Sequence, residues 1–377
     1  MTASIRGRRR RLVCLGATPV LALVAATVRC SPHGDGAEPD RTPGRVNEED
    51  VEALLRDADE LVKQGRLAPA RDILNRALEL APDNRDARLA YASVLRRLGR
   101  PDAARAQLLR VLELDHDHLK ATVTLGYLER QAGRLDESVR WFRRGAAIDG
   151  GWYNHVRLLV SFADLGDLDA AAQAARGLAE SPLGDGFGAG LLRLYRADFA
   201  AARVIFEREL ARTDMAEFRY LAAAAAVQAG AFDEALAHYR VLSPELFADE
   251  PELRRTVTNN AFSVAYALAE SGQRRRATRL LRRLLELYAE QPGRYDSVHM
   301  KINRMKAHAL LGEERPALAA LRAAIDQGYR SVLLDRIVYY EHTSMFASLH
   351  DDPDFQAMMA EIRAANARML ARVRTSP

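Results

Sequence analysis

Apolar positions along this chain recur at helical spacing, and the recurrence is itself repeated. Val51, Leu54, Leu55, Ala58, Leu61 and Val62 fall at i, i+3, i+4, i+7, i+10 and i+11. That spacing puts them on one stripe of an amphipathic helix. A lone pair of helices cannot bury such a stripe, so neighbouring pairs must cover it. Runs of alternating β-branched residues are nearly absent, and the pattern predicts an all-α chain.

The breaks between stripes are phased. Gly65, Gly99 and Gly133 are 34 residues apart, within the phrases Gln64-Gly65-Arg66-Leu67, Leu98-Gly99-Arg100-Pro101 and Ala132-Gly133-Arg134-Leu135. A small residue follows five positions later (Ala70, Ala104, Ser138) and a large apolar one four beyond that (Leu74, Leu108, Phe142). A helix that must stop and reverse within a few residues needs a left-handed residue at its end, which glycine supplies without steric cost. The two helices then cross closely, which predicts small residues at the crossing. Ala58 and Gly126 take that role on first helices, and Ala70, Ala77 and Ala104 on second helices. Pro82 ends the second helix of the first pair.

The stretch Gly65-Arg-Leu-Ala-Pro-Ala-Arg-Asp-Ile-Leu-Asn-Arg-Ala-Leu-Glu-Leu-Ala-Pro82, at a period of 34, resembles the second-helix signature of the tetratricopeptide-repeat (TPR) family. Looser copies follow at Gly166 with Ala171, at Gly230 with Ala235 and Tyr239, at Gly272 with Ala277 and Leu281, and at Gly312 with Ala317, Leu321 and Ala324. Ala202 and Phe206 mark a copy without its glycine. The resemblance implies an α-solenoid, a right-handed superhelix of helix hairpins, over residues 48–330 with about eight repeats, the middle ones degenerate. Residues 331–377 are expected to form C-terminal capping helices. There Asp352 caps a helix that begins at Pro353, and Phe346, Leu349 and Phe355 plug the exposed end of the last repeat.

In this family the first helices line a concave groove. The resemblance points to the second, fifth, ninth and twelfth positions of each repeat as partner-binding. Here these include Asp59, Asp86, Ser93, Arg96, Lys120, Tyr127, Arg130, Tyr153, Tyr220, Asn259, Phe262, Tyr266, His299 and Lys306. Tyrosine and phenylalanine supply contact area at low entropic cost, and arginine clamps carboxylates. For Phe262 and Tyr266, packing between repeats is an equal alternative. The family's carboxylate clamp is not reproduced, because Leu89 and Ser93 stand where lysine and asparagine are wanted. The implied ligand is a protein partner, a peptide or helix in the groove.

The N-terminus reads differently. Residues 1–30 carry six arginines (Arg6, Arg8, Arg9, Arg10, Arg11 and Arg29) and no acid, ahead of and around the uncharged stretch Leu12–Val28. That is the layout of an export signal, and it falls short of the roughly 20 apolar residues of a spanning helix. Cleavage after Ala26, retention as an anchor, and lipidation at Cys30 all fit. The stretch Ala26-Thr27-Val28-Arg29-Cys30 resembles a bacterial lipoprotein signal, with Arg29 as the departure. Residues 31–47 form a Pro- and Gly-rich linker. These features predict the periplasm or cell envelope, with membrane attachment through the N-terminus.

Charge narrows the function. Without residues 1–30 the chain holds 49 basic against 51 acidic residues, so no general footprint for nucleic acid is expected. No carboxylate pair is set apart as acid and base, and an enzyme is not expected. No cofactor or metal is expected either. His116-Asp117-His118 lacks an evident third ligand. Gly184-Asp-Gly186-Phe-Gly188-Ala189 fits a loose dinucleotide pattern but follows no strand, and reads as a flexible joint where the repeat register slips. The expected function is a non-catalytic scaffold or adaptor. The alternative is an accessory module of an envelope enzyme complex.

Overall fold

A computed structural model describes residues 48–375 except 180, 249, 252, 254–257, 291–297 and 335–337. Cys30 and the rest of the export and linker segments lie outside the described residues, as does the side chain of Asn259. Sixteen helices pair into eight antiparallel hairpins. They are α1 (Glu48–Lys63) with α2 (Leu67–Leu80), α3 (Arg85–Arg97) with α4 (Pro101–Leu114), and α5 (Leu119–Gln131) with α6 (Leu135–Ile148). Next come α7 (Trp152–Asp164) with α8 (Leu168–Arg176), α9 (Gly184–Tyr195) with α10 (Phe199–Thr213), and α11 (Ala216–Gln228) with α12 (Phe232–Leu242). The last are α13 (Thr258–Glu270) with α14 (Arg274–Glu290) and α15 (Val298–Leu310) with α16 (Glu314–Asp326). Each hairpin packs on the next, the architecture of an all-α TPR solenoid.

The turns explain the phasing. Seven of the eight carry a glycine at φ between +74° and +83°, and in the remaining one Ala197 takes the left-handed conformation at φ +57°. The glycine-rich run at 184–190 departs from expectation, because it is helical and not a joint. A Cβ on Gly186 would lie 2.4 Å from Glu209, one on Gly188 2.9 Å from Ala175, and one on Gly190 2.3 Å from Phe206. The missing side chains let α9 wedge between α8 and α10. Gly126 plays the same part against Phe142, at 2.4 Å.

After α16 the chain turns back on the array. An antiparallel ladder pairs β1 (Leu333–Leu334) with β2 (Val338–Tyr339), Leu333 opposite Tyr339. A 3₁₀ turn (Ser344–Phe346), α17 (Ala347–His350) and α18 (Pro353–Thr375) follow. Asp352 accepts hydrogen bonds from the Asp354 and Phe355 amides at 2.8 and 3.1 Å and caps α18. Phe346, Leu349 and Phe355 are buried, but α18 does more than plug the last repeat. It packs on both α16 and α6, so it ties the eighth repeat to the third.

The closure is built from backbone contact and a polar node. At Gly133 (φ +75°) a Cβ would sit 2.0 Å from the Gly328 carbonyl. The Asp164 carboxylate pairs with Arg130 and accepts from Ser331 Oγ at 2.6 Å, while its backbone carbonyl accepts from Asn366 Nδ2 at 2.8 Å. Arg372 pairs with Asp136, and Arg374 with Asp167 at 2.7 Å. One continuous core runs from Leu135 to Val373, whereas three smaller clusters serve the first two and a half repeats.

The node gives a stability prediction. Asp164 and Arg130 have side-chain exposures of 0% and 9%. Asp164→Ala removes the carboxylate facing the buried Arg130 guanidinium and should cost about 3–5 kcal/mol. Arg130→Met with Asp164→Leu removes both charges and should cost less than the single change. Urea denaturation of the three proteins checks the order.

Candidate functional site

The groove positions divide into two sets. From α7 onward the inner ends of the first helices meet the chain's own returning segment. Tyr339 donates from its hydroxyl to the Ala163 carbonyl at 2.8 Å and stands 6.2 Å, ring to ring, from Tyr195. Gln228 contacts Met345, and Tyr266 hydrogen-bonds Ser344. Burial is the main influence on the Tyr266 hydroxyl and pushes it up, against that hydrogen bond. The 3₁₀ turn also packs on α15.

Five expected groove residues are therefore enclosed or engaged within the molecule. Phe262 is fully buried, Tyr220 is buried, and Tyr266 is half-buried. Lys306, 1% exposed, stands 5.3 Å over the Phe262 ring. Arg130 bonds Ser161 and Asp164. Tyr266 meets the returning segment at Ser344, Arg130 meets α7, and Lys306 and Phe262 meet each other in the continuous core.

The other set stays open. Asp59, Ser93, Arg96 and Lys120 are exposed, and Tyr127 and Tyr153 half-exposed. Asp59 pairs with Lys63 one turn on, at 2.8 Å. Successive first helices place equivalent positions side by side, so Asp59, Ser93 and Tyr127 form one row 34 residues apart, and Leu55, Leu89 and Val123 another. The second row is half-buried at Leu55 and mostly buried at Leu89 and Val123, and makes an apolar floor. Exposed Glu52, Asp86 and Lys120 flank it at the helix starts, and Arg96 and Arg97 at the end of α3. The face thus offers an apolar strip between charged borders, the surface chemistry of a protein-binding site.

Tyr127 closes this face and is held firmly. Its hydroxyl accepts from Arg157 Nε at 3.1 Å, its ring meets Phe142 edge-on at 5.3 Å, and the Arg157 guanidinium lies 5.5 Å from its centre. Arg157 is fixed in turn by Asn154 Oδ1 at 2.5 Å. Arg157 and Asp164 escaped the repeat pattern. The only sequence signal for either was a charge inside the otherwise apolar run of α7.

Two other expectations concern chemistry. His118 caps α5, its Nδ1 accepting from the Ala121 amide at 3.3 Å. Among the described residues no group of three or more His, Cys, Asp or Glu side chains is placed to hold a metal ion. No described helix is long and apolar enough to cross a membrane.

Comparison with known proteins places the repeats. Residues 61–121 and 92–151 match family models described as tetratricopeptide repeat. No curated protein matches the chain. A tetratricopeptide repeat protein from Parabacteroides merdae aligns at 12% identity over 83% of this chain and 99% of its own, with a TM-score of 0.43. PilW, a type IV pilus biogenesis factor, aligns at 17% identity over 64% of this chain and 94% of its own, with a TM-score of 0.35. The first TPR of Spaghetti (RPAP3), bound to an HSP90 peptide, aligns at 18% identity over 35% and 98%, with a TM-score of 0.29.

Lysine reactivity reads the division between open and covered positions. Lys120 is exposed and Lys306 is 1% exposed. In native protein treated briefly with an amine-acylating reagent, Lys306 should react roughly a hundredfold more slowly, because it requires local opening. Site-resolved mass spectrometry measures both rates.

Proposed function

We propose that this chain is a non-catalytic protein-binding scaffold of the bacterial cell envelope, in which the uncovered inner face of the first three repeats holds a helix or extended segment of a partner. Tetratricopeptide repeats generally mediate protein–protein interactions. The observation that carries the reading is the contrast between the two halves of the inner face. The later half meets residues of the chain's own returning segment, while the earlier half presents the half-exposed Leu55 and Tyr127 between exposed charges. The rigid seating of Tyr127 supports it further, because an aromatic already ordered loses little entropy on binding.

Export rests on the Arg-rich start and the apolar stretch after it, and attachment to the membrane on the same segment, with Cys30 as the lipidation site. The N-terminal repeats follow directly on the linker 31–47. An anchored chain would therefore present its open face near the membrane.

The test uses the full chain purified from native membranes with its bound partner. Tyr127→Ala combined with Arg96→Ala should weaken capture about 30-fold, as loss of a central aromatic and a charge does. Tyr220→Phe, on the covered half, should leave capture unchanged. Equal recovery from the first variant and the unsubstituted chain would remove the N-terminal face from the reading.

A further inference from the structure

The charges of α14 run against its own dipole. The helix begins with Arg274, Arg275 and Arg276, has no acid in its first turn, and carries Glu286 and Glu290 toward its end. Helix N-termini favour acids and C-termini favour bases, so both ends are electrostatically unfavourable. By contrast α1 follows the rule, with Glu48, Glu49 and Asp50 at its start and Lys63 at its end. Arg276 is compensated by Gln273 and the Phe247 carbonyl, but Arg274 and Arg275 have no such contact among the described residues, and a local rule broken at a cost to the fold marks a position kept for another reason.

The arginines also share a surface. Ala277, Leu280, Leu281, Leu284 and Tyr288 are buried against the core. Arg274, Arg275, Arg279, Arg282 and Arg283 are exposed on the other side. Arg282 pairs with Glu313, and Arg283 with Glu286 at 3.1 Å. Arg276 is tied to the Phe247 carbonyl at 2.7 Å. Arg274 and Arg275 make no ion pair among the described residues. Arg279 also has a partner, so the positive charge left over lies on Arg274 and Arg275, at the start of a helix about 25 Å long.

We propose that this outer face of α14 rests on an anionic phospholipid surface. The large exposed hydrophobics among the described residues are Val204 and Val241, and neither lies on α14. The face is a convex helix, not a groove. A surface of that kind has charge to offer and little shape, which matches a bilayer of laterally mobile anionic headgroups. The idea is independent of the partner-binding face, which lies on the first helices at the other end of the array.

The experiment is co-sedimentation of the full chain with vesicles of phosphatidylglycerol and phosphatidylcholine, against phosphatidylcholine alone. Binding should require the anionic lipid and fall with added salt. Arg274→Glu with Arg275→Glu should weaken it about 25-fold, at roughly fivefold per arginine lost. The same change puts acids where the helix dipole favours them, so thermal stability should hold or rise; a lost fold is then not the cause of lost binding. Equal vesicle binding by the variant would overturn the proposal and leave the N-terminal segment as the sole membrane contact. Retention on immobilised polyglutamate without retention on anionic vesicles would overturn it in favour of an acidic protein.

Discussion

The buried carboxylate of Asp164 is the point on which the architecture turns. It holds Arg130 of the third repeat and Ser331 of the returning segment, and its backbone carbonyl holds Asn366 of α18. Withdrawing an arginine and an aspartate from water costs several kcal/mol per ion, which their attraction does little more than recover. The pair is therefore a poor source of net stability and a good source of register, since one residue out of place strands a charge in the core. Gly133 adds a steric condition, because the approach of the Gly328 carbonyl leaves no room for a side chain. Together these contacts fix where an elongated array must close on itself.

Closure explains why the inner face is not uniform. An array whose last repeat met only solvent would leave every first helix lined for an external ligand. Here the large residues Tyr340, Phe346 and Phe355 are buried, each contributing about 1.5–3 kcal/mol of apolar burial. They compete with any partner for the inner face of the later repeats. The earlier repeats lie outside the closed part and rest on smaller separate clusters. Their lower density of buried contacts makes them the part of the array best able to adjust to a partner.

Much of the fold was legible because it rests on local rules. The glycines at 65, 99 and 133 could be read as turns since a left-handed residue is needed there, and all three have positive φ. The crossing residues Ala70 and Gly126 could be read because a bulky side chain has no space there. The misreading at Gly186 and Gly188 has the same root. Glycine serves conformational freedom and close packing alike, and only the neighbours Glu209 and Ala175 decide between them. The repeat pattern marked positions on the first helices, not what each of them meets. An aromatic at a groove position, such as Tyr266, serves equally for an outside ligand or for a segment about 80 residues further along the chain, where Ser344 lies. The 34-residue period carries no information about that return. Asn366 and Ser331 find their partners more than 160 residues away, beyond the reach of any pattern of spacing.

The two ends of the array meet the same problem with opposite chemistry, and this bears on how a partner can approach. Internal first helices cover the preceding repeat with Ala87, Tyr91, Val94 and Leu98 on α3, or Ala121, Leu125 and Leu128 on α5. At the matching places α1 carries Ala53, Asp57, Glu60 and Gln64, the last three exposed. An additional hairpin stacked there would have to bury the Asp57 and Glu60 carboxylates, at a cost in desolvation. At the other end, α18 covers the last hairpin with apolar side chains. The two ends of the described array therefore present different surfaces, exposed carboxylates at one and a covering helix at the other. A partner held as proposed would cross the first helices of the first three repeats, where the row Leu55, Leu89 and Val123 lies between exposed charges.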